Sequence, residues 1–515
     1  MAIQQSETAH AGRKAGILIV LCLLFVAGCS KQEKETGVLS VNKQRIVFDN
    51  PAAGETAQAV LHIEASRDWT VQYQFGNGHE CHLSARSGTA GACDLIVETP
   101  EINTGRDLRN IGQLAVFLND GSASETVSLM QRPATVRQTL LMYFCGTELY
   151  HYYKTNLNDV AKALGKNFMP LGRIVAFTQP EAQKGYVVEY RYDEETNACR
   201  RDTLIRYTPL PGHTTDPETM AAILSEMADL APAERYGLHL ASHAKGWLPA
   251  SVEGTSLLRR LSATGAGDLW RKAPGAVETR WFGHDRGRYM NITELADAID
   301  ATGIHFDYLL FDACFMSSVE ALYDLRNSAA YIVASPCEVM GHGFPYDTAI
   351  PTLFTEEGAG YDLTALCKSY YDYYANTDSY NSGCIAMTVC SELDALADAM
   401  RALNAGATKS VDVSALQSYD GMKEHQFYDL ENYALELTDD PALAEQFVSR
   451  MERCFPVAAR FHTAQFYSVY NNRMNDIGYY SGVTTYAPAT TYQADWQQTA
   501  WHAATKQGAA AAPAK

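Results

Sequence analysis

Downstream of Gln138 the chain carries five nearly continuous apolar runs, at residues 139–144, 172–177, 237–242, 306–311 and 331–335. Strands buried on both faces have this composition, and they occur where helices cover both sides of a parallel sheet. Helical segments separate the runs. Residues 150–164 place Leu157, Val160, Ala161 and Leu164 on one face, and Asp216-Pro217-Glu218 opens a helix to residue 230 with an acidic cap and proline at its first position. Residues 186–192 alternate and read as an added hairpin. A helix at 363–374, a strand at 384–389, a helix opened by Ser391-Glu392-Leu393-Asp394 and a closing strand at 480–486 complete the pattern. The spacing predicts an α/β unit over residues 138–505, a mostly parallel sheet flanked by helices. Residues 253–286 break this rhythm with Gly, Ala, Ser and Arg and are expected to form an exposed loop. Residues 506–515 are a low-complexity tail.

A chain of 515 residues exceeds one ordinary core, and its first part reads differently. Residues 59–64, 69–73, 94–98, 114–118 and 126–130 are short strands, and Asn119-Asp120-Gly121 is a tight-turn signal between the last two. Strands at this spacing predict an Ig-like all-β sandwich over residues 38–133. Ser66-Arg67-Asp68-Trp69, Ser87-Gly88 and a last strand ending in Gln131 resemble a BACON-type domain. That resemblance implies a spacer or targeting module of an exported bacterial enzyme. Glycan binding through Trp69 is weighed against a place for that ring in the core. Further upstream, Arg13 and Lys14 precede an apolar run at 17–26 and the sequence Val26-Ala27-Gly28-Cys29. The run is too short for a membrane span of roughly 20 residues, so residues 1–28 read as a secretory signal. Its end resembles a lipobox, which implies lipidation of Cys29, a tether over residues 29–37, and attachment to the outer membrane or surface of a bacterial envelope.

A formal net charge of −19 argues against a nucleic-acid partner, which needs a basic surface. The absence of a Walker loop or of GxGxxG after any strand excludes a nucleotide site. The twelve cysteines are scattered without metal-ligand spacing, although Cys81 and Cys93 are candidates for one bridge. No cofactor is implied.

Two strand ends carry chemistry. One reads Ala241-Ser242-His243-Ala244-Lys245-Gly246-Trp247, the other Asp312-Ala313-Cys314-Phe315-Met316 followed by Val319-Glu320. Ligands gather at the carboxyl ends of parallel strands, so the two ends are expected to share a cleft. There His243 takes the proton of the Cys314 thiol. The backbone N–H groups of Ala244 and Cys314 are candidate donors to an oxyanion. A helix beginning at Cys314 is expected to lower the thiol pKa. Together with Ala334-Ser335-Pro336 and Gly341-His342-Gly343-Phe344-Pro345-Tyr346, these blocks resemble the clostripain family of cysteine peptidases over residues 139–505. The resemblance implies a caspase-like fold, protein or peptide substrates, a Cys314–His243 dyad and cleavage after Arg or Lys. It also implies an acid in the specificity pocket, for which Asp312 is the first candidate and Glu338 the second. Self-cleavage between His243 and Cys314, at Arg259, Arg260, Arg271, Lys272 or Arg280, is a further implication. Some members depend on Ca²⁺, but no compact acidic loop is visible here. One departure is Ala244, where the family has glycine; alanine disfavours positive φ, which keeps an inactive surface-binding homologue as the alternative. A carbohydrate-active enzyme would need paired carboxylates, and no local motif supplies them.

Overall fold

The computed structural model describes residues 37–75, 78–165, 170–249, 280–356, 358–376, 381–488 and 491–506. The signal with Cys29, and the cleavage candidates Arg259, Arg260, Arg271 and Lys272, lie outside the described residues, as do residues 507–515 of the tail.

The N-terminal strands are β1 (Leu39–Val41), β2 (Arg45–Phe48), β3 (Ala57–Ala65), β4 (Trp69–Phe75), β5 (His82–Leu83), β6 (Ser87–Gly88), β7 (Gly91–Thr99), β8 (Arg109–Leu118) and β9 (Ser124–Gln131). They form two sheets in the orders β1-β3-β7-β5 and β2-β9-β8-β4-β6. Alternating residues of both sheets, among them Leu61, Ile63, Leu95, Val97, Val116 and Leu129, close one core, as a sandwich requires. Gly121, at φ 72°, turns β8 into β9 where the tight-turn signal falls. Trp69 is fully buried in this core. A Cβ on its strand partner Gly88 would stand 2.5 Å from the indole. The ring therefore cannot stack on a sugar, which corrects the glycan-binding expectation for this residue. Cys81 and Cys93 are both free thiols.

The second unit is built on β10 (Val136–Phe144), β11 (Arg173–Glu181), β12 (Lys184–Asp193), β13 (Ala198–Tyr207), β14 (Ala233–Ala241), β18 (Phe306–Asp312), β19 (Ala329–Ala334), β20 (Cys384–Val389) and β22 (Arg460–His462). These nine strands lie in the order β13-β12-β11-β10-β14-β18-β19-β20-β22. The five central ones, β11 to β19 in that order, are parallel; the β12–β13 hairpin and β20 with β22 add antiparallel margins. The apolar runs are apolar because each strand feeds two cores. Leu141, Tyr143, Leu238, Leu240, Leu309 and Phe311 point into one, under the helices Pro217–Leu230, Ile292–Asp300, Val319–Leu325 and Leu393–Ala405. Leu140, Met142, Phe144, Ala241, Tyr308 and Leu310 point into the other, under Tyr150–Leu164, Tyr346–Thr352 and Leu363–Ala375.

Two expectations are corrected. Arg280–Asp285, placed in the irregular loop by composition, forms β16, between β15 (Ala244–Pro249) and β17 (Arg288–Asn291) in a small antiparallel sheet. Residues 480–486 are not one strand: only Thr484–Thr485 pair, with β21 (Tyr428–Asp429). Gly482 turns the chain at φ 83°, and buried carboxylates take the neighbouring amides. Asp429 accepts from Ser481 N–H at 2.8 Å and Glu320 from Tyr486 N–H at 3.0 Å.

The sandwich is fastened to the sheet by charge. Glu189 on β12 is fully buried and receives Arg173 of β11 through two bonds of 2.9 and 2.8 Å. Arg106 of the sandwich adds bonds of 3.1 and 3.0 Å to the same carboxylate.

Candidate active site

Strand order fixes the location of the site. From β10 the chain moves to β11 on one side and later to β14 on the other, so the order reverses between β10 and β14. Crevices open at the carboxyl ends of the strands near such a reversal, and here the cleft extends from β10 across β14 to its neighbour β18. Ala241 of β14 stands opposite Asp312 of β18, and two residues beyond each come His243 and Cys314. Both are half-buried and line one cleft of about 380 Å³, together with Tyr152, Asp312, Glu338, Met340 and Val469.

The spacing of residues after His243 has a packing reason. Gly246, at φ 51°, brings β15 over the turn that follows the cysteine; a Cβ there would meet the Phe315 carbonyl at 2.4 Å. Trp247 is fully buried against Phe427 and Tyr486, and Phe427 stacks on Phe315 at 4.3 Å. The two chemical loops are thus locked to each other. Phe315 itself holds a left-handed φ of 60°, which costs a non-glycine residue about 1–2 kcal/mol. The stacking and an N–H bond to the Cys337 carbonyl at 3.0 Å hold it there, and the turn leaves Cys314 facing the cleft.

The expected helix at Cys314 is absent. Cys314 lies in a turn, the helix starts at Val319 with Ser318 as its cap, and it is only seven residues long. No dipole lowers the thiol pKa. Burial instead pushes it up to about 12, with the Glu338 charge adding to the rise and the Val339 N–H, 3.4 Å from Sγ, opposing it. His243 moves the other way, to about 4, first through burial and then through His284 and Lys245. Burial thus favours the uncharged form of both groups, thiol and imidazole. A neutral ring is a competent base, and no third side chain holds it by a hydrogen bond among the described residues.

Sequence reasoning missed a second histidine. His284 of β16 lies 6.4 Å from His243, ring centre to ring centre, and stacks on Tyr289 at 4.7 Å. Its Nε2 accepts from Gly287 N–H at 3.1 Å, which turns Nδ1 toward Glu148, 3.3 Å away. Its only sequence signal was a histidine inside a stretch that composition read as loop. Ala244 begins β15 opposite Phe282 and is not among the residues with positive φ. Alanine is therefore unstrained at this position, and the departure from glycine gives no support to an inactive protein. The Cys314 N–H makes no backbone hydrogen bond among the described residues. Arg280 opens β16 opposite Pro249.

Both candidate acids reach the cleft. One oxygen of Asp312 accepts from Tyr346 O–H at 2.6 Å, the Phe344 N–H adds a second bond, and burial carries the group to about 6. Glu338 accepts from Val469 N–H at 2.9 Å through one oxygen, while its other oxygen is buried without a partner among the described residues. Burial raises it to about 7, with Ser468 and the Val469 N–H opposing. The cleft thus holds two acids that a positively charged side chain can pair with, and the Lys245 ammonium acts on one of them, Glu338. Among the described residues no group of three or more His, Cys, Asp or Glu stands where it could hold a metal, and no helix is long and apolar enough to cross a membrane.

A family model described as the clostripain family matches residues 264–484, a span with Cys314, Asp312 and Glu338 but not His243. A secreted C11 cysteine protease from Bacteroides thetaiotaomicron, "iotapain", is 29% identical with a TM-score of 0.62, over 72% of this chain and 100% of its own. An inactive zymogen C11 protease from Parabacteroides distasonis is 26% identical with a TM-score of 0.60, over 73% and 99%. A further Bacteroides thetaiotaomicron C11 protease, in complex with an irreversible peptide inhibitor, is 24% identical with a TM-score of 0.60, over 72% and 98%. No curated protein matches the chain significantly.

Proposed function

Because this chain belongs to the clostripain family of cysteine peptidases, we propose that it is an exported endopeptidase cleaving after Arg or Lys, with Cys314 as nucleophile and His243 as its base. The observation that carries this reading is the β14–β18 register, which brings the two side chains from 71 positions apart in sequence to neighbouring strand ends over one cleft. As Sγ attacks the scissile carbonyl, its proton passes to the neutral ring of His243. The Cys314 N–H, with that of Ala244 beside it, faces the developing oxyanion. His243 then gives the proton to the leaving amine, and the thioester is hydrolysed by water that His243 deprotonates in turn. Asp312 and Glu338 would receive the basic side chain of the residue preceding the cut.

Export is supported by the basic and apolar N-terminal segment ending in Cys29 and by the secreted relative. Lipid attachment at Cys29, and self-cleavage at Arg259, Arg260, Arg271, Lys272 or Arg280, belong to the same proposal. A peptide library tests it: wild type should cut after Arg or Lys and Cys314→Ala should cut nothing. Cleavage after apolar residues, or activity surviving in Cys314→Ala, would refute it. On a gel, wild type should resolve into two bands where Cys314→Ala stays single.

A further inference from the structure

The block Gly341-His342-Gly343-Phe344-Pro345-Tyr346 contributes no reacting group, yet it converges on one carboxylate. Gly343, at φ 64°, lies so close to Asp312 that a Cβ would stand 2.1 Å from Oδ2. Phe344 offers its N–H to the same carboxylate. Tyr346, fully enclosed, donates its O–H to Oδ2 at 2.6 Å. The position of the block is in turn held by Asn156, which donates to the His342 carbonyl at 2.8 Å, and by Tyr374, which donates to the Gly343 carbonyl at 2.7 Å.

Behind Tyr346 stands a fully buried histidine that the reaction does not use. His239 of β14 has Nε2 2.7 Å from the Tyr346 oxygen, and its Nδ1 is buried with no partner among the described residues. Burial keeps this ring neutral, with its pKa taken down to about 3. One proton is then shared between two ring nitrogens. An orphaned buried N–H is rarer and costlier than an orphaned lone pair, so the proton sits on Nε2 and Nδ1 carries the lone pair. Nε2–H donates to the Tyr346 oxygen, and the tyrosine, with one proton to give, donates to Asp312. Every proton in the row points toward the carboxylate.

None of the other groups facing Asp312 supplies a positive charge. They are Tyr153 on helix Tyr150–Leu164, Tyr370 and Tyr374 on helix Leu363–Ala375, and Cys314 on its own loop, with His243 and Glu338 across the cleft. The tyrosines and the thiol are neutral at physiological pH, His243 is neutral, and Glu338 is a second acid. Hydrogen bonds alone therefore oppose the desolvation of this group.

We propose that Tyr346, oriented by His239, is a positioning residue that keeps Asp312 ionised and aimed into the cleft, so that the pocket stays selective for a positively charged side chain. This rests on the reading of Asp312 as the specificity acid. Removing the Tyr346 O–H leaves burial less opposed, and the acid titrates at a higher pH. A neutral substrate side chain would not sense that change.

The test is the ratio of kcat/KM for an arginyl peptide over its citrulline counterpart, measured from pH 5 to 8.5. Titration of His243 and Cys314 cancels in the ratio. In wild type the ratio should rise through about pH 6 as Asp312 ionises and again near 7 as Glu338 does. Glu338→Gln in each background leaves the rise that belongs to Asp312 alone. In Tyr346→Phe the rise should move up by about one pH unit, the size expected when a charge-assisted bond is lost, with the citrulline rate within about threefold of wild type. His239→Phe should shift the ratio in the same direction by less, and it carries the test by itself if Tyr346→Phe does not fold. An unmoved ratio in a folded variant, or equal losses on both peptides, would overturn the proposal while leaving the specificity reading intact. A wild type with no preference for arginine over citrulline would remove that reading and the proposal with it.

Discussion

At the scale of single residues the two groups proposed to react are held uncharged. The Cys314 thiol is pushed up to about 12 and the His243 ring down to about 4, both mainly by burial. A small alkylating reagent that needs thiolate should therefore modify Cys314 at pH 7 far more slowly than it modifies a free cysteine thiol, and the rate should climb as pH rises. Fast alkylation at pH 6, followed by mass spectrometry of the Cys314 peptide, would show a preformed ion pair instead. His243→Ala should lower kcat/KM by about 10²–10⁴, the usual worth of a general base. The sequence made these two residues legible because each sits two positions past an apolar strand. It did not disclose their electrostatics, since those depend on which side chains and how much solvent surround the groups after folding. Glu338 illustrates this: its oxygen without a partner and its rise to about 7 follow from the packing of Val469 and Ser468, 130 or more positions away.

At the scale of elements the apolar runs sufficed to find the parallel strands, because residues that feed two cores leave a mark in every position of the strand. What escaped was structure made by long-range partners. β16 reads as loop because its pairing is with β15 and β17 and its neighbours upstream are rich in Gly and Ala. The segment at 480–486 reads as strand because it is apolar, yet its amides are taken by Glu320 and Asp429. The helix expected at Cys314 starts five residues later, after a left-handed turn at Phe315 that no local pattern signals. Gly343→Ala tests the turn that holds the third block. Its φ of 64° and the 2.1 Å approach to Asp312 leave no room for a methyl group. The variant should lose arginine selectivity and melt at a lower temperature, as thermal unfolding and citrulline controls would reveal. A variant indistinguishable from wild type in both would mean the block can shift freely.

At the scale of the whole molecule the sandwich is more than a spacer. Arg106 reaches from it onto a carboxylate that is buried in the α/β unit, and Arg132 donates to Asp229 at 3.0 Å beside it. Arg106 is itself two-fifths exposed, so Arg106→Met should cost only about 1 kcal/mol. Arg173→Met strips Glu189 of its buried partner and should cost about 3–5 kcal/mol, a clear difference in denaturant midpoint; equal losses would contradict the arrangement. Everything proposed for the molecule as an enzyme depends on Cys314 and His243 meeting over one acid-lined cleft. An arginine-directed peptide bearing a thiol-reactive group tests that directly, with the adduct located by mass spectrometry. One adduct on Cys314 of wild type, strongly diminished in His243→Ala and out-competed by an arginyl but not a glutamyl peptide, is the predicted result. An adduct on any other cysteine, or none under reducing conditions, would contradict it.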